Sequence, residues 1–523
     1  MTQVSQDIGT DDSLARIQKL LNMDKMTLSS DSRAAKTGTE RWMKYLGFPL
    51  GIVVFALLYY MPAQAGLSAS AQSAAACFLM ALVWWIAEPV PTYVTSFVLM
   101  IMLVLTRTWD LKPVLDVLGM DVIWLNIMSF ILSSILVKTG LAKRLSLNLI
   151  LYFGKSAKWA LFAFVVIQLA LAPFIPSTTA RCVITLPLMI VVTAIYGSTA
   201  ENPNNFGRNL FLLNLTAISI LSSTTMTGSP ADMQAVGFIQ KMADYRVFYN
   251  QWLMAAAPIS IGTIALIWII GMKFIFPVKK EDSTPHLKGG LDMIAQQKQN
   301  MGKLTFMEKK GMAIFFLVIF LWATDSWHQA WFGVDIPAPI AAMMGVVLAL
   351  MPKWGVLKWS EAEIPWHLFL FSAGAYAGGL ALDSTGAAEW AVRQVFLNIN
   401  MKGIPFGVLY CIIMAIMIYS HLLLTSKTVR ATIMIPLIIT LARQIGWEPV
   451  SLALPAAFAI DWVVGLPISG KPNVILFATG QYSVIDNLKY GVAACTIGFL
   501  LMILGALTWF HWMGITPSFW ATL

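Results

Sequence analysis

Two short hydroxyl-rich motifs interrupt long apolar stretches of the chain and could together hold an anion. The first covers residues 177–179 (Ser-Thr-Thr) and the second covers residues 426–428 (Ser-Lys-Thr). A helix that restarts just after such a motif presents unpaired N–H groups and the positive end of its dipole. Hydroxyl donors beside a helix N-terminus suit a carboxylate or another small oxyanion. The two motifs therefore predict an anion-binding site.

Two glycine- and proline-containing segments follow the motifs and have a related character. They cover residues 228–230 (Gly-Ser-Pro) and residues 470–472 (Gly-Lys-Pro). Unwound backbone at membrane depth is tolerated where it lines a cavity or is buried in protein. We interpret both segments as unwound connections that face the same cavity as the motifs. The alternative is that they only kink their helices.

These motifs belong to an internal repeat. The second Ser-x-Thr motif follows the first at an offset of 249 residues, and the two Gly-x-Pro segments are offset by 242. Residues 138–142 and 384–388 form a third similar pair, at an offset of 246. Three matches in the same order predict two related halves. Such halves, inverted with respect to each other, are typical of secondary transporters.

Charged residues near the motifs are candidates for function, because charges within a membrane are costly. Lys427 lies inside the second motif and is predicted to neutralise negative charge at the site. Arg181 and Arg430 either face the anion or extend toward the membrane surface, and the sequence leaves both readings open. Asp461 lies in a deeply apolar run and is interpreted as a charge partner of a lysine or as a proton-coupling group. His421 is interpreted as a helix-packing residue.

Composition requires a membrane as the main solvent of this chain. Of its 523 residues, 58% are hydrophobic and only 12% are charged, and the mean hydropathy is +0.72. Soluble proteins carry about 25% charged residues. Continuous apolar runs of about 20 residues favour helices over a barrel. We therefore predict an all-α polytopic membrane protein with about 11 transmembrane helices.

Lysine and arginine residues set the predicted orientation. They are concentrated in the first 44 residues and again between residues 278 and 310, and the positive-inside rule places both segments in the cytoplasm. The protein is predicted to lie in the cell membrane, with its C-terminus on the extracytoplasmic side. The predicted units are a tail at 1–44, a first helix and repeat at 45–277, a linker at 278–310, a second repeat at 311–515 and a tail at 516–523.

In its two Ser-x-Thr motifs and two Gly-x-Pro segments, the chain resembles the divalent-anion:sodium symporter family, whose members carry di- and tricarboxylates and sulfate. The resemblance covers residues 45 to 515 and includes the stretch 84–91 (Trp-Trp-Ile-Ala-Glu-Pro-Val-Pro). It implies inverted repeats, each with a broken helix and a re-entrant hairpin, at 121–144 and 365–390. It also implies a homodimer, elevator-like alternating access, and sodium sites beside an asparagine in each motif.

The chain departs from that family where sodium is expected. Both asparagines are replaced, by Thr178 and Lys427, and the positions four residues before each motif serine are Pro173 and Leu422. An ammonium group could supply the charge of a sodium ion without the coupling. We therefore predict sodium-independent exchange or facilitated transport of di- or tricarboxylate anions such as citrate, with no required cofactor and with sodium at the first motif left open. A sodium-coupled dicarboxylate or sulfate symporter is the alternative.

Other classes of function are less well supported. An intramembrane enzyme would need an acid to orient His367 or His421, and an anion channel would not need broken repeats. The four cysteines lie in apolar runs without metal-ligand spacing, so neither a catalytic nor a metal site is predicted, and no nucleic-acid partner is expected. The predicted substrate-binding residues are Ser177, Thr178, Thr179, Arg181, Gly228, Ser229, Ser426, Lys427, Thr428, Gly470, Lys471 and Pro472, with Asp461 as coupling group or charge partner.

Overall fold

The computed structural model describes residues 38–62, 64–287, 289–396 and 403–523, and the regular secondary structure in these ranges is helical. This confirms the predicted all-α fold class. The first half contains α1 (Gly38–Tyr59), α2 (Ala69–Ala87), α3 (Thr92–Leu105), α4 (Leu111–Asp116), α5 (Asp121–Thr139), α6 (Leu141–Phe153), α7 (Ala157–Leu171), α8 (Thr178–Ile195), α9 (Asn205–Ile220), α10 (Pro230–Met242) and α11 (Tyr249–Ile270).

The remaining helices form the connection and the second half of the chain. They are α12 (Gly290–Asn300), α13 (Phe306–Ala323), α14 (His328–Phe332), α15 (Ala338–Leu350), α16 (Trp366–Ser384), α17 (Ala387–Phe396), α18 (Phe406–Tyr419), α19 (Lys427–Ile445), α20 (Pro449–Phe458), α21 (Lys471–Phe477), α22 (Val484–Leu507) and α23 (Trp509–Trp512). Short 3₁₀ turns extend α9 at Leu221–Thr224 and α18 at Ser420–Leu422.

Seven helical stretches in the described part of the chain are long and apolar enough to cross a bilayer. They are Trp42–Tyr59, Ala69–Ala87, Asp121–Thr139, Thr178–Ile195, Tyr249–Ile275, Lys427–Ile445 and Val484–Trp512. Five further apolar helices have only 10 to 17 residues. At about 1.5 Å of rise per residue, such short helices do not cross the hydrocarbon core alone. Two of them, α7 and α18, lie directly before the two Ser-x-Thr motifs, and α20 lies before the irregular segment that contains Asp461.

The same order of elements appears in both halves. In each half a long helix ends at a glycine with positive φ, Gly140 at 72° or Gly386 at 78°, and a shorter helix follows. Glycine adopts this left-handed conformation without the steric cost that other residues have, so it commonly ends helices. A short apolar helix, a motif and a long helix come next. This local correspondence supports the predicted repeat, while the inverted orientation of the halves stays a prediction.

The position of the re-entrant hairpins differs from the interpretation given above. Residues 121–139 and 366–384 each form one continuous helix of 19 residues, and the first is also apolar enough to cross the membrane. The chain reverses or breaks instead at the two Ser-x-Thr motifs. The stretches 121–144 and 365–390 were misassigned because a helix, a capping glycine and a second helix have the same sequence pattern as a tight hairpin.

Helices extend into the segments predicted as the N-terminal tail and the linker, and the C-terminal residues contact the rest of the protein. Residues 1–37 of the predicted tail lie outside the described residues, and α1 begins at Gly38 rather than after residue 44. The connection at 278–310 contains α12 and the first turn of α13. The C-terminal residues pack back on the protein, because the backbone N–H groups of Phe406 and Gly407 donate to the carbonyls of Ala521 and Phe519.

The two halves pack against each other through reciprocal pairs of helices. Helix α10 of the first half packs on α19 and α20 of the second, and α21 of the second half packs on α8 and α9 of the first. Gln234 on α10 donates a hydrogen bond to Thr432 on α19. Each half therefore supplies a helix that packs against the motif-bearing helix of the other. This arrangement brings both motifs to the interface between the halves.

An ion pair joins two loops at one edge of the helical bundle. The Arg246 guanidinium donates to both carboxylate oxygens of Asp335. This interaction lowers the pKa of Asp335 below its ordinary value and raises the pKa of Arg246. Because the Asp335 pKa is depressed on folding, the pair stabilises the protein above the unfolded-state pKa of about 4. That stability is lost as the pH falls through the depressed pKa.

Replacing Asp335 by asparagine should therefore have a small effect. Both side chains are about 40% exposed, at 42% for Arg246 and 41% for Asp335, so solvent screens the pair. The expected loss is below about 1 kcal/mol at neutral pH. Thermal unfolding of the purified variant and the wild type at pH 7 measures it. A loss of several kcal/mol would show that this pair is a structural anchor.

Candidate functional site

The first motif caps the helix that follows it. Helix α8 begins at Thr178, and the Ser177 hydroxyl accepts a hydrogen bond from the backbone N–H of Ala180 at 3.1 Å. Serine is a preferred N-cap because its oxygen satisfies one of the free donors of the first turn. Ser177, Thr178 and Thr179 are all partly exposed. The capped N-terminus of α8 therefore presents hydroxyl groups and free N–H groups to an accessible space.

Arg181 braces this break from inside the protein. Its side chain is fully buried, and its Nη2 donates to the carbonyls of Ile218 and Gly228, both at 3.3 Å, and to the Ser222 hydroxyl. One guanidinium thus ties α8 to the end of α9 and to the segment before α10. In this conformation Arg181 does not reach the accessible space. Its contacts favour a bracing role over the substrate contact predicted from sequence.

The second motif repeats the cap and adds a charge. Helix α19 begins at Lys427, and the Ser426 hydroxyl accepts from the backbone N–H of Val429 at 3.4 Å. The Lys427 Nζ lies 3.2 Å from Oδ1 of Asp461, whose side chain is 0% exposed, while that of Lys427 is 17% exposed. Asp461 belongs to the irregular segment between α20 and α21. The second motif therefore carries a buried ion pair at the start of its helix.

Two further side chains hold the second break in place. Arg430 is fully buried, and it donates to the carbonyl of Ile460 at 3.2 Å and to that of Met417. His421 accepts a hydrogen bond at Nε2 from the backbone N–H of Gly465 and makes a second contact through Nδ1 with the carbonyl of Ile418. Arg430 and His421 thus tie the end of α18 to the segment around Asp461. These contacts match the packing role expected for His421.

Asp232 is a member of the site that the sequence did not single out. It lies in the first turn of α10, where its backbone N–H donates to the Ser229 hydroxyl. Its side chain is 0% exposed and its carboxyl group lies beside that of Asp461. An acid in the first turn of a helix is common, since it interacts favourably with the dipole. The sequence signal that could have identified Asp232 was its position three residues after the capping Ser229, at the start of a mainly apolar helix.

The two Gly-x-Pro segments have different surroundings. Gly228 and Ser229 are buried, and Ser229 caps α10 rather than lining an accessible surface. Lys471 is exposed at the start of α21 and lies near His367. The carbonyl of Pro472 lies 4.0 Å from Sγ of Cys182 on α8. The second segment thus contacts the helix of the first motif across the two halves.

Replacing Gly228 by alanine should destabilise the first break strongly. A Cβ at this position would lie 1.9 Å from the carbonyl oxygen of Ser222, so the backbone would have to move. We expect a loss of several kcal/mol or failure to accumulate in the membrane, in the range of severe packing defects. Thermal unfolding of detergent-purified protein measures the loss.

Gly119 provides the matched control for this substitution. A Cβ at Gly119 would have no heavy atom within 4 Å. The Gly119→Ala variant should therefore unfold within a few degrees of the wild type. Equal melting temperatures for the two alanine variants would contradict the close packing at Gly228.

Comparisons with known proteins identify the family. A model described as the sodium:sulfate symporter transmembrane region matches residues 40–516. The chain belongs to this symporter family. Its relatives include a sodium-dependent dicarboxylate transporter of Staphylococcus saprophyticus, 26% identical over 88% of this chain and 90% of the relative, and one of Staphylococcus aureus, 25% identical over 93% and 95%. A membrane protein of Cupriavidus necator is 23% identical over 91% and 93%.

Solved structures support the same fold. The YdaH transporter of Alcanivorax borkumensis is similar with a TM-score of 0.52 and 13% identity, over 92% of this chain and 99% of that one. The MtrF efflux pump of Neisseria gonorrhoeae is similar with a TM-score of 0.52 and 14% identity, over 93% and 97%. As a member of this symporter family, the chain is a multi-pass membrane transporter and not an enzyme.

A positive charge already lies at the second motif. The Lys427 ammonium already lies 3.2 Å from the Asp461 carboxylate, where it would repel a second cation. At the first motif, the hydroxyl-bearing residues Ser177 and Thr178 are partly exposed. Hydroxyl oxygens suit a hard cation, so these residues remain compatible with sodium. The two motifs therefore differ in what they can bind.

Proposed function

We propose that this transporter exchanges di- or tricarboxylate-type anions across the cell membrane by alternating access, without sodium coupling. The observation that carries the proposal is the Lys427 ammonium, held by a buried carboxylate at the start of α19. A fixed positive charge there performs the electrostatic task of a bound sodium ion. Because the lysine cannot leave the protein, it attracts the anion without linking transport to a sodium gradient.

The geometry of the motifs supports a substrate with two negative groups. Two capped helix N-termini, those of α8 and α19, each offer partly exposed hydroxyls beside free N–H groups. Helices α10 and α21 join the two halves across this region. One carboxylate at each motif would satisfy both helix ends. The names of the staphylococcal relatives, which are dicarboxylate transporters, favour the same substrate class.

The proposal extends to the assembly and the transport movement. In α1, only 11% of the apolar stretch is buried in the protein, which leaves this helix available to lipid or to a second copy. We infer a homodimer with a cytoplasmic N-terminus and an extracytoplasmic C-terminus. One part of each protomer would stay fixed while the motif-bearing part moves across the bilayer with the anion.

Uptake by reconstituted protein tests this function. Proteoliposomes loaded with unlabelled succinate should take up radiolabelled succinate at the same rate in sodium chloride and in choline chloride, and liposomes without internal anion should take up much less. Citrate and sulfate, added as competitors, define the substrate class. Uptake that requires a sodium gradient would overturn the sodium-independent proposal.

Sodium-coupled dicarboxylate symport is the second candidate. Both staphylococcal relatives are sodium-dependent by name, and the hydroxyls of the first motif are compatible with a cation. One sodium ion at the first motif would then accompany the substrate, while Lys427 replaces the other. The same uptake measurement separates the candidates, because only symport concentrates succinate in liposomes that contain no exchangeable anion.

A further inference from the structure

Two aspartates from different halves of the chain lie side by side within the protein. Asp232 comes from the first turn of α10, and Asp461 comes from the segment between α20 and α21. Both side chains are 0% exposed, and their carboxyl groups are adjacent. The proposed anion site uses hydroxyls and N–H groups, so it does not account for this second acid.

The carboxyl oxygens of this pair have few polar neighbours within the described part of the chain. No donor meets full hydrogen-bond geometry at the oxygens of Asp232 or Asp461, and the Ser229 hydroxyl lies beside Asp232. The charge that compensates them is the Lys427 ammonium, 3.2 Å from Asp461. One ammonium neutralises one carboxylate. Two adjacent buried carboxyl groups with a single such partner form a site at which a proton would relieve the repulsion between like charges, above all when a further negative charge binds nearby.

Two arginines complete the charges around the pair. Arg181 from α8 interacts electrostatically with both aspartates, and Arg430 from α19 interacts with Asp461. Both guanidinium groups donate to backbone carbonyls, so they supply charge without hydrogen bonds to the carboxylates. With both aspartates ionised, these five side chains carry a net charge of about +1. With one shared proton, the net charge becomes about +2, which matches a dicarboxylate dianion.

The other titratable groups near the pair do not alter this balance. His421 accepts a hydrogen bond at Nε2 from Gly465, which requires that nitrogen to be unprotonated, so the ring is neutral. Cys495 lies near Arg430 as a buried free thiol. Lys471 is exposed and lies near His367. The charge of the cluster therefore depends on the protonation of the two aspartates.

We propose that Asp232 and Asp461 form a proton-binding site that takes up one proton when the substrate dianion binds, and that the transporter carries this proton with the anion. A proton from water on one side binds one carboxylate oxygen, and the resulting O–H donates to the other carboxyl group. On the opposite side the anion leaves and the proton returns to water. This proposal rests on the proposed function, because it requires the two motifs to hold a dianion.

Proton uptake on binding tests the site directly. Calorimetric titration of detergent-purified transporter with succinate, in two buffers of different ionisation enthalpy, counts the protons bound. The pH is set well above the ionisations of succinate, so a bound proton must enter the protein. Wild type should bind about one proton per succinate, and its affinity should rise about tenfold for each unit of decreasing pH. Binding without proton uptake would overturn the proposal.

Two variants assign the proton to the pair. Asp232→Asn removes one acid while keeping its size, so succinate should bind without proton uptake and with little dependence on pH. Asp335→Asn, in the exposed ion pair with Arg246, should still take up about one proton. Uptake retained in Asp232→Asn would place the proton elsewhere and overturn the proposal. If Asp232→Asn does not fold, Asp461→Asn is measured in its place against the same expectation.

The outcomes also separate this proposal from the proposed function. If neither succinate nor citrate nor sulfate binds, the proposed function fails. If succinate binds to wild type without a proton, only the proton site fails. If uptake of a sodium ion replaces uptake of the proton, and Asp232→Asn abolishes this sodium uptake, the pair is a sodium site and the proposal is overturned.

Discussion

Replacing Lys427 by asparagine is expected to reduce sodium-free exchange of succinate at least tenfold. The substitution leaves Asp461 buried without its ion partner, and removing one member of a buried pair typically costs about 3–5 kcal/mol. It also restores the asparagine found in the family motif that this chain resembles. Sodium should then substitute in part for the missing ammonium, so that transport recovers in sodium chloride. Radiolabelled uptake in sodium and choline media measures both effects.

A lysine outside the site provides the control. Lys241 lies exposed in the last turn of α10, and Lys241→Asn removes the same charge there. Its uptake should match the wild type in both media. If Lys427→Asn transports succinate at the wild-type rate without sodium, Lys427 does not replace a cation.

The second large effect is expected from the two capping serines. Ser177→Ala and Ser426→Ala each remove a helix cap. Under the proposed function, each also removes one hydrogen bond to a bound carboxylate. Loss of a hydrogen bond to a charged group costs about 1.5–3 kcal/mol, so each variant should bind succinate about 10- to 150-fold more weakly. Calorimetric titration of each purified variant with succinate, at a temperature where the variant is fully folded, measures the dissociation constant. The double variant should show no measurable binding.

Another capping serine separates the loss of a cap from the loss of a substrate contact. Ser483 is exposed and caps α22 by accepting from the N–H of Asp486. Ser483→Ala should lower stability by about 1 kcal/mol, as expected for a lost cap, and leave succinate affinity unchanged. If all three single variants bind succinate as the wild type does, the motif hydroxyls do not contact the substrate.

Local structure around the motifs was predictable from sequence. A serine after an apolar run is a strong N-cap signal, and α8 and α19 begin at Thr178 and Lys427, directly after the two motif serines. The repeated Lys/Ser-Thr-Gly segments likewise mark the ends of α5 and α16. Composition was sufficient for the all-α membrane fold. These inferences rest on short-range chemistry, which a single sequence contains.

Contacts between the halves were not predictable in the same way. Asp232 and Asp461 are separated by more than 200 residues, and hydrophobic periodicity does not show which helix of one half packs on which helix of the other. The burial of Arg181 was not predictable either, because its partners in the same half, on α9 and before α10, lie 37 to 47 residues farther along the chain. The assignment of hairpins to 121–144 and 365–390 failed because glycine ends a spanning helix as readily as it makes a tight turn.

Binding of a dicarboxylate in the absence of sodium tests the central claim most directly. Purified transporter in choline chloride is heated with increasing succinate, and its melting temperature is compared with that in sodium chloride. Because a ligand that binds the folded state raises its apparent stability, succinate should raise the melting temperature equally in both salts. A rise that occurs in sodium chloride alone would show that a sodium ion, and not the Lys427 ammonium, completes the anion site.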